Sequence, residues 1–164
     1  MGVLFEEISA DIKNAMKGRF LTFLIGEETY GIQIENVVEI VGIQPITELP
    51  EMPNYIKGII NLRGSIVLAM DIRLRFKKPK AGYTDRTCII LIRIDGIPTG
   101  LIVDCVSEVL TIPDEGISAT PEIGAVERRG YVKGIGKTDN HIILLLDCEK
   151  LLNEQEHETV SAQL

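Results

Sequence analysis

Residues 55–76 read YIKGIINLRGSIVLAMDIRLRF, and residues 131–152 read YVKGIGKTDNHIILLLDCEKLL. The two segments align without a gap, and most positions that differ pair one apolar residue with another. The identical pairs are Tyr55/Tyr131, Lys57/Lys133, Gly58/Gly134, Ile59/Ile135, Ile66/Ile142, Leu68/Leu144 and Asp71/Asp147. A match of this length within one chain indicates an internal duplication.

The duplication extends towards the N-terminus of each half. Residues 31–41 align with residues 100–110, and the pairs Gly31/Gly100, Val37/Val106 and Glu39/Glu108 are identical. The offset between the halves grows from 69 to 76 residues, so the second half carries seven extra residues, within the stretch 112–130. Insertions collect in surface loops because closing a longer loop costs little entropy. We therefore predict two copies of a unit of about 65 residues, each too small to bury much surface alone.

Ile- and Val-rich stretches that end at Gly, Asp or Asn predict β-strands joined by tight turns. Asp95-Gly96 is typical of a two-residue hairpin turn, and Asp71 and Asp147 are predicted to cap short helical turns, the second over 147–153. Strands are predicted at 20–25, 30–34, 56–62, 65–70, 87–94, 99–103, 106–112, 131–137 and 141–146.

Short, closely spaced strands predict an all-β fold of two small closed barrels, which leave no exposed sheet edges. A single larger sandwich is the alternative that the spacing leaves open. The predicted organisation is an N-terminal helical extension (1–17), a first β-barrel subdomain (18–80), a second β-barrel subdomain (81–152) and a polar C-terminal tail (153–164).

Composition narrows the classes of protein that this chain can represent. Of its 164 residues 45% are hydrophobic and 25% are charged, which is typical of a globular domain. The net charge of −7 argues against nucleic acid as the main partner. The three cysteines are odd in number and lack short spacings, so they indicate neither a disulfide framework nor a zinc site. With no membrane-length apolar run and no secretory signal, we expect a cytoplasmic protein that does not insert into a membrane.

The candidate catalytic motifs are weak. Residues 134–138 resemble the end of a phosphate-binding loop, but Tyr131 stands where that loop needs glycine, so a strand and hairpin are favoured. His141 and His157 have no partner at a ligand or catalytic spacing. We therefore expect no enzymatic activity, no cofactor and no metal. Arg63, at a predicted hairpin tip, is either a solvated turn residue or a contact residue for a partner.

Several motifs together resemble one known family. Residues 30–40 read YGIQIENVVEI, residues 49–64 read LPEMPNYIKGIINLRG, and Asp71 and Arg73 follow. The second half continues with GLIVDCVSEV at 100–109 and KGIGK at 133–137. Over residues 19–152 the chain is similar to the CheW-like domain family of bacterial chemotaxis.

This resemblance implies two intertwined SH3-like five-stranded β-barrel subdomains with a groove between them. It also implies a non-enzymatic adaptor that couples the cytoplasmic tips of chemoreceptors to the regulatory domain of the chemotaxis histidine kinase, in arrays at the inner face of the membrane. The matching receptor-contact positions are Val37, Glu39, Arg63 and Val109, and the kinase contact is expected near Ile46 and Thr47.

Two alternatives to a free adaptor remain at this stage. The chain is either a free adaptor or a regulatory or coupling module that is normally part of a larger signalling protein; a kinase or receiver region would need sequence that 164 residues do not contain. A small-molecule-binding β protein is the third class, and it predicts a cavity with convergent polar groups.

Overall fold

Strands dominate the computed structural model of this protein, which describes residues 16–119, 130–152 and 158. The all-β prediction is confirmed. The strands are β1 (Arg19–Ile25), β2 (Glu28–Gln33), β3 (Glu39–Gly42), β4 (Ile56–Leu62), β5 (Ser65–Asp71), β6 (Cys88–Ile94), β7 (Ile97–Val103), β8 (Cys105–Thr111), β9 (Ile117–Ser118), β10 (Val132–Lys137) and β11 (Ile142–Leu146), and a short helix, α1, spans Ile72–Arg75.

The strands form two mixed sheets, and each sheet takes strands from both halves of the chain. The six-stranded sheet has the order β8-β1-β2-β11-β10-β9, and the five-stranded sheet has the order β3-β6-β7-β5-β4. Neighbouring strands are antiparallel except for the pairs β2–β11 and β5–β7, which are parallel. These two parallel pairs join the halves, because each unites strands that are distant in sequence.

The two parallel strand pairs that join the halves are equivalent residue by residue in the duplication. Gly31 on β2 pairs with Leu145, and Gly100 on β7 pairs with Ala69, which is the position equivalent to Leu145. Each β4-type strand also breaks register in the same place, just before Gly58 in one half and just before Gly134 in the other. The subdomain boundaries 18–80 and 81–152 stay a prediction, because each sheet contains strands from both halves of the chain.

The main apolar core joins the two sheets. It contains fully buried side chains from both, among them Phe23, Tyr30, Met70 and Ile90. Two smaller clusters lie apart from it, one in each sheet. The cluster of the five-stranded sheet is Ile60, Val67, Ala69, Ile89, Leu91 and Ile102, and that of the six-stranded sheet is Phe20, Ile112, Ile143 and Leu145.

The predicted helix caps and hairpin turn are confirmed. Asp71 accepts a hydrogen bond from the Leu74 N–H (3.2 Å) at the start of α1. Asp147 accepts one from the Glu149 N–H (3.2 Å), although the predicted helix over 147–153 is a 3-10 turn at Cys148–Lys150. Between β6 and β7, Asp95 (φ 47°) and Gly96 (φ 80°) both lie in the left-handed region.

Some strand bounds differ from those predicted. Strand β2 ends at Gln33 because Ile34–Asn36 forms a 3-10 turn, and the short strands β3 and β9 were not predicted. Strand β9 makes the first sheet six-stranded rather than five-stranded. The predicted N-terminal helical extension and C-terminal tail lie outside the described residues, apart from residues 16–17 and 158.

Candidate functional site

A groove of about 240 Å³ lies over the five-stranded sheet, between the edge strand β3 and the β4–β5 hairpin. Its floor includes Leu62, Val67 and Leu91, which also pack in the small apolar cluster of that sheet. Its charged lining residues are Glu39, Arg63 and the exposed Arg93. The groove therefore combines an apolar floor with charged groups at its rim.

The hairpin turn holds Arg63 at the tip of β4 and β5. Arg63 (φ 51°) and Gly64 (φ 88°) both have positive φ, as a two-residue turn of type I′ requires. The Asn61 side chain accepts a hydrogen bond from the Gly64 N–H at 2.9 Å and so supports the turn. Asn and Gly usually occupy such positions, so an arginine here points to a use for its guanidinium.

An ion pair joins Arg63 to Glu39 across the groove rim. Arg63 Nη2 donates to Glu39 Oε2, and this hydrogen bond lowers the pKa of Glu39 and raises the pKa of Arg63. The arginine side chain is 68% exposed. Exposed pairs add little to stability. The pair instead fixes the position of the Arg63 guanidinium above β3.

The structure separates Val37 from its neighbour Val38. The Val37 N–H donates to Ile34 O (3.1 Å), and the Val37 side chain is half-buried against the main core. The Val38 N–H donates to Leu91 O (2.7 Å), while the Val38 side chain is 60% exposed and lines the groove. Val38 was not identified from the sequence, because alternation along an extended segment places it on the outer face only once Val37 is known to face the core.

Val109, the fourth expected receptor-contact residue, belongs to the other sheet. It lies on the edge strand β8, opposite Leu21 of β1, and is 50% exposed. The duplication aligns Val109 with Ile40, which is also exposed on the edge strand β3. The structure thus brings Glu39 and Arg63 together, whereas Val109 lies on an edge strand of the other sheet, and receptor contact by all four residues stays a prediction.

The residues expected to contact the kinase lie along the outer edge of β4. Thr47 pairs with Ile59 through two backbone hydrogen bonds of 2.8 Å, and its side chain is exposed. Ile46 is half-buried against the small apolar cluster of the same sheet. Gly58 permits this approach, because a methyl group there would overlap the Thr47 carbonyl. In the other sheet Ser118 pairs with Ile135 in the equivalent way.

The candidate chemical motifs have ordinary structural roles. Residues Gly134–Lys137 lie within β10, as the strand-and-hairpin interpretation predicted. Within the described part of the chain, no three His, Cys, Asp or Glu side chains are grouped as metal ligands would be. No helix in the same part of the chain is long and apolar enough to cross a membrane.

Comparisons with known proteins agree with this fold. The family model for the CheW-like domain matches residues 19–156. The Chemotaxis protein CheW of Klebsiella aerogenes is 37% identical over 137 residues, which cover 84% of this chain and 82% of that protein. The Bacillus subtilis protein of the same name is 30% identical over 152 residues, covering 93% of this chain and 96% of that one.

A solved structure gives the same result in three dimensions. The crystal structure of scaffolding protein TtCheW from Thermoanaerobacter tengcongensis has a TM-score of 0.79 with this protein. The two chains are 37% identical, and the match covers 85% of this chain and 94% of that one. At this identity the likeness extends beyond the fold to the family.

Proposed function

This chain belongs to the CheW-like domain family, a family of scaffold proteins and not of enzymes, and we propose that it is a chemotaxis adaptor. In this proposal it couples the cytoplasmic tips of chemoreceptors to the regulatory domain of the chemotaxis histidine kinase. It works in the cytoplasm, within receptor arrays at the inner face of the membrane. The relatives support this proposal through their names, which refer to chemotaxis and scaffolding.

The observation that carries the receptor part of the proposal is the Glu39–Arg63 ion pair beside an apolar groove. A helical receptor tip that lies in a groove needs a few apolar anchor sites, and here Val38, Leu62 and Leu91 offer them. Charges at the rim mainly set orientation and association rate. Val109 would add a further apolar contact from β8.

The kinase part of the proposal rests on the second surface, Ile46 and Thr47. An adaptor must hold two partners at once, so its two contact surfaces must consist of different side chains. Thr47 lies on the outer side of β4, and neither Ile46 nor Thr47 lines the groove that carries Glu39 and Arg63. This arrangement supports simultaneous binding of receptor and kinase.

We also propose that each sheet curls into an SH3-like barrel. Two observations favour this: Arg63, in the hairpin that ends the sheet order at β4, meets Glu39 on β3, and each sheet has its own small apolar cluster. A crystal structure in which the β3 and β4 edges diverge would contradict the barrel and leave the adaptor proposal intact.

The decisive experiment is a titration with two purified partners, a receptor tip fragment and the regulatory domain of the kinase. We expect the chain to bind each one separately and to form a ternary complex that elutes as one species in size-exclusion chromatography. Competition between the two partners for one site would contradict the adaptor function. Binding of the kinase domain alone would favour a regulatory module of a larger signalling protein.

A further inference from the structure

A second and larger pocket, of about 370 Å³, lies away from the partner-binding residues. This open pocket is lined by the β1–β2 turn at Gly26, by Arg73 of α1, by Asp104 between β7 and β8, and by residues of the segment 81–87 before β6. This volume is in the range of small-molecule sites, roughly 300–1,000 Å³. The pocket therefore has room for a ligand larger than a bare ion.

The acidic group in this pocket is neutralised. Asp104 accepts hydrogen bonds from Arg73 Nε (2.8 Å) and Arg73 Nη2 (2.6 Å), and also from the Gly26 N–H (2.7 Å). Both carboxylate oxygens are thus engaged by donors. An incoming anion meets a paired carboxylate, and the repulsion that a free one would exert is largely cancelled.

The basic groups keep donors for a ligand. Arg86 Nη2 donates to Cys105 Sγ at 3.6 Å, and within the described part of the chain no carboxylate forms an ion pair with this arginine. Among the described residues, Arg73 Nη1 donates to Pro79 O alone, at a long 3.4 Å. Two guanidinium groups with unused N–H donors therefore line one pocket of an acidic protein.

The segment that carries Arg86 is held in shape by its own hydrogen bonds. The Thr84 N–H donates to Thr87 Oγ1 (2.8 Å), and the Arg86 N–H donates to Thr84 Oγ1 (3.1 Å). Both hydroxyl groups accept these bonds and keep their own protons available. The pocket lining thus combines guanidinium and hydroxyl donors with the apolar side chains of Leu24 and Ala81.

We propose that this pocket binds a small phosphate monoester. Guanidinium groups match the geometry of phosphate oxygens and form charge-assisted hydrogen bonds with them. The phosphate would lie between Arg86, which supplies the unbalanced positive charge, and Arg73, which adds N–H donors while Asp104 balances its charge. The organic group would fill the remaining volume beside Leu24 and Ala81. The proposal is independent of the adaptor function, because none of these residues is assigned to the receptor or kinase surface.

The test is a titration of the ¹⁵N-labelled protein at constant ionic strength with glucose 6-phosphate, inorganic phosphate or citrate. We expect glucose 6-phosphate to shift the amide signals of Gly26, Gly82 and Thr84, with a Kd of about 1 mM or tighter. Inorganic phosphate should shift the same signals more weakly. Arg86→Ala should weaken binding of glucose 6-phosphate about tenfold, whereas the exposed Arg19→Ala should leave it unchanged.

Three results would overturn the proposal. The first is the absence of shifts at these amides, and the second is equal weakening by Arg19→Ala and Arg86→Ala, which would indicate diffuse surface attraction. The third is citrate binding as tightly as glucose 6-phosphate, which would exclude selectivity for phosphate. The receptor fragment is also titrated into Arg86→Ala, and we expect normal binding. Normal receptor binding shows that a failure of the phosphate proposal leaves the adaptor proposal intact.

Discussion

The carboxylate of Asp104 and the guanidinium of Arg73 form a two-point hydrogen-bonded ion pair that links the two halves of the chain. Arg73 belongs to α1, which ends the first repeat, whereas Asp104 separates β7 from β8 in the second. The pair is only partly exposed, and the Gly26 N–H adds a third hydrogen bond from the β1–β2 turn. Three chain segments are therefore fixed at one carboxylate.

This arrangement predicts acid-sensitive stability. Burial alone raises the pKa of Asp104, but hydrogen bonds from Arg73 and Gly26 and the charge of Arg73 lower it below its ordinary value. A carboxyl group whose pKa is depressed in the folded state stabilises above its unfolded pKa, about 4. That stabilisation is lost as the pH falls through the folded-state pKa.

Asp104→Asn should therefore lower the free energy of unfolding by about 1–2 kcal/mol at pH 7. Urea unfolding at several pH values measures this, and the difference from the wild type should shrink below about pH 4. Asp114→Asn, an exposed acidic control, should change little at any pH. A difference for Asp104→Asn that stays constant down to pH 2 would contradict the electrostatic explanation.

The two adjacent valines predict different mutational effects. Val37→Asp should weaken receptor binding at least tenfold, but it should also destabilise the fold because Val37 packs against the main core. Val38→Asp should weaken receptor binding about tenfold with little change in the thermal unfolding midpoint, because Val38 is exposed. Calorimetric titration of a receptor fragment and thermal unfolding separate the two effects. Normal receptor binding by Val38→Asp would show that the groove is not the receptor site.

A charge swap tests the role of the Glu39–Arg63 pair. Glu39→Lys and Arg63→Glu should each weaken receptor binding about fivefold, with a larger effect at low salt, because rim charges steer and orient a partner. Exposed ion pairs contribute little to stability, so both variants should remain folded. The double variant restores the pair with its sign reversed. If the intact pair only positions the hairpin, the double variant regains binding; if the guanidinium itself contacts the receptor, it does not.

Much of this fold could be predicted from the duplicated segments. Repeated Gly, Asp and alternating apolar positions located the long strands and the caps at Asp71 and Asp147. Strands β3 and β9 were missed because they are short, and because in β3 the apolar residues Ile40 and Val41 are adjacent although the side chains alternate between half-buried and exposed. The register between distant strands such as β2 and β11 depends on packing across the sheets, which periodicity along one strand does not encode.

The candidate site was predictable in part. Arg63 stood out as a charged residue at a hairpin tip, and its partner Glu39 was identified only through the resemblance. No local pattern links a strand residue to a hairpin-turn residue 24 positions away. Val38 was missed because three adjacent apolar or acidic positions, 37–39, do not reveal which one faces the core until the edge strand is paired. The pocket at Arg73 and Arg86 needed four separate segments to be brought together.

Gly58 predicts a large effect from the addition of one methyl group. Its φ of 142° is unfavourable for an L-residue, and a Cβ would overlap the Thr47 carbonyl. Gly58→Ala should therefore lower the free energy of unfolding by about 2–4 kcal/mol. Gly42→Ala is the matched control, because a Cβ added at Gly42 would meet no atom within 4 Å. Urea unfolding compares the two, and equal stability of both variants would show that the Thr47 segment does not pack tightly on β4.

The last prediction tests whether kinase contact is confined to one sheet. Thr47 and Ser118 hold equivalent places in the duplication, each paired to the outer edge of its β4-type strand, and both are exposed. Thr47→Arg should weaken binding of the kinase regulatory domain about tenfold by placing a bulky charge in the interface, while receptor binding and folding stay normal. Ser118→Arg adds the same side chain at the equivalent edge and should leave kinase binding close to that of the wild type.

Calorimetric titration of both partners into both variants gives a result for each surface separately. Loss of kinase binding in Thr47→Arg alone places the contact on the five-stranded sheet. Equal losses in both variants would show that the kinase recognises the shared strand edge and not Ile46 and Thr47. Loss of receptor binding in Thr47→Arg would contradict the two-surface adaptor, because the groove beside Arg63 and the outer edge of β4 would then be parts of one interface.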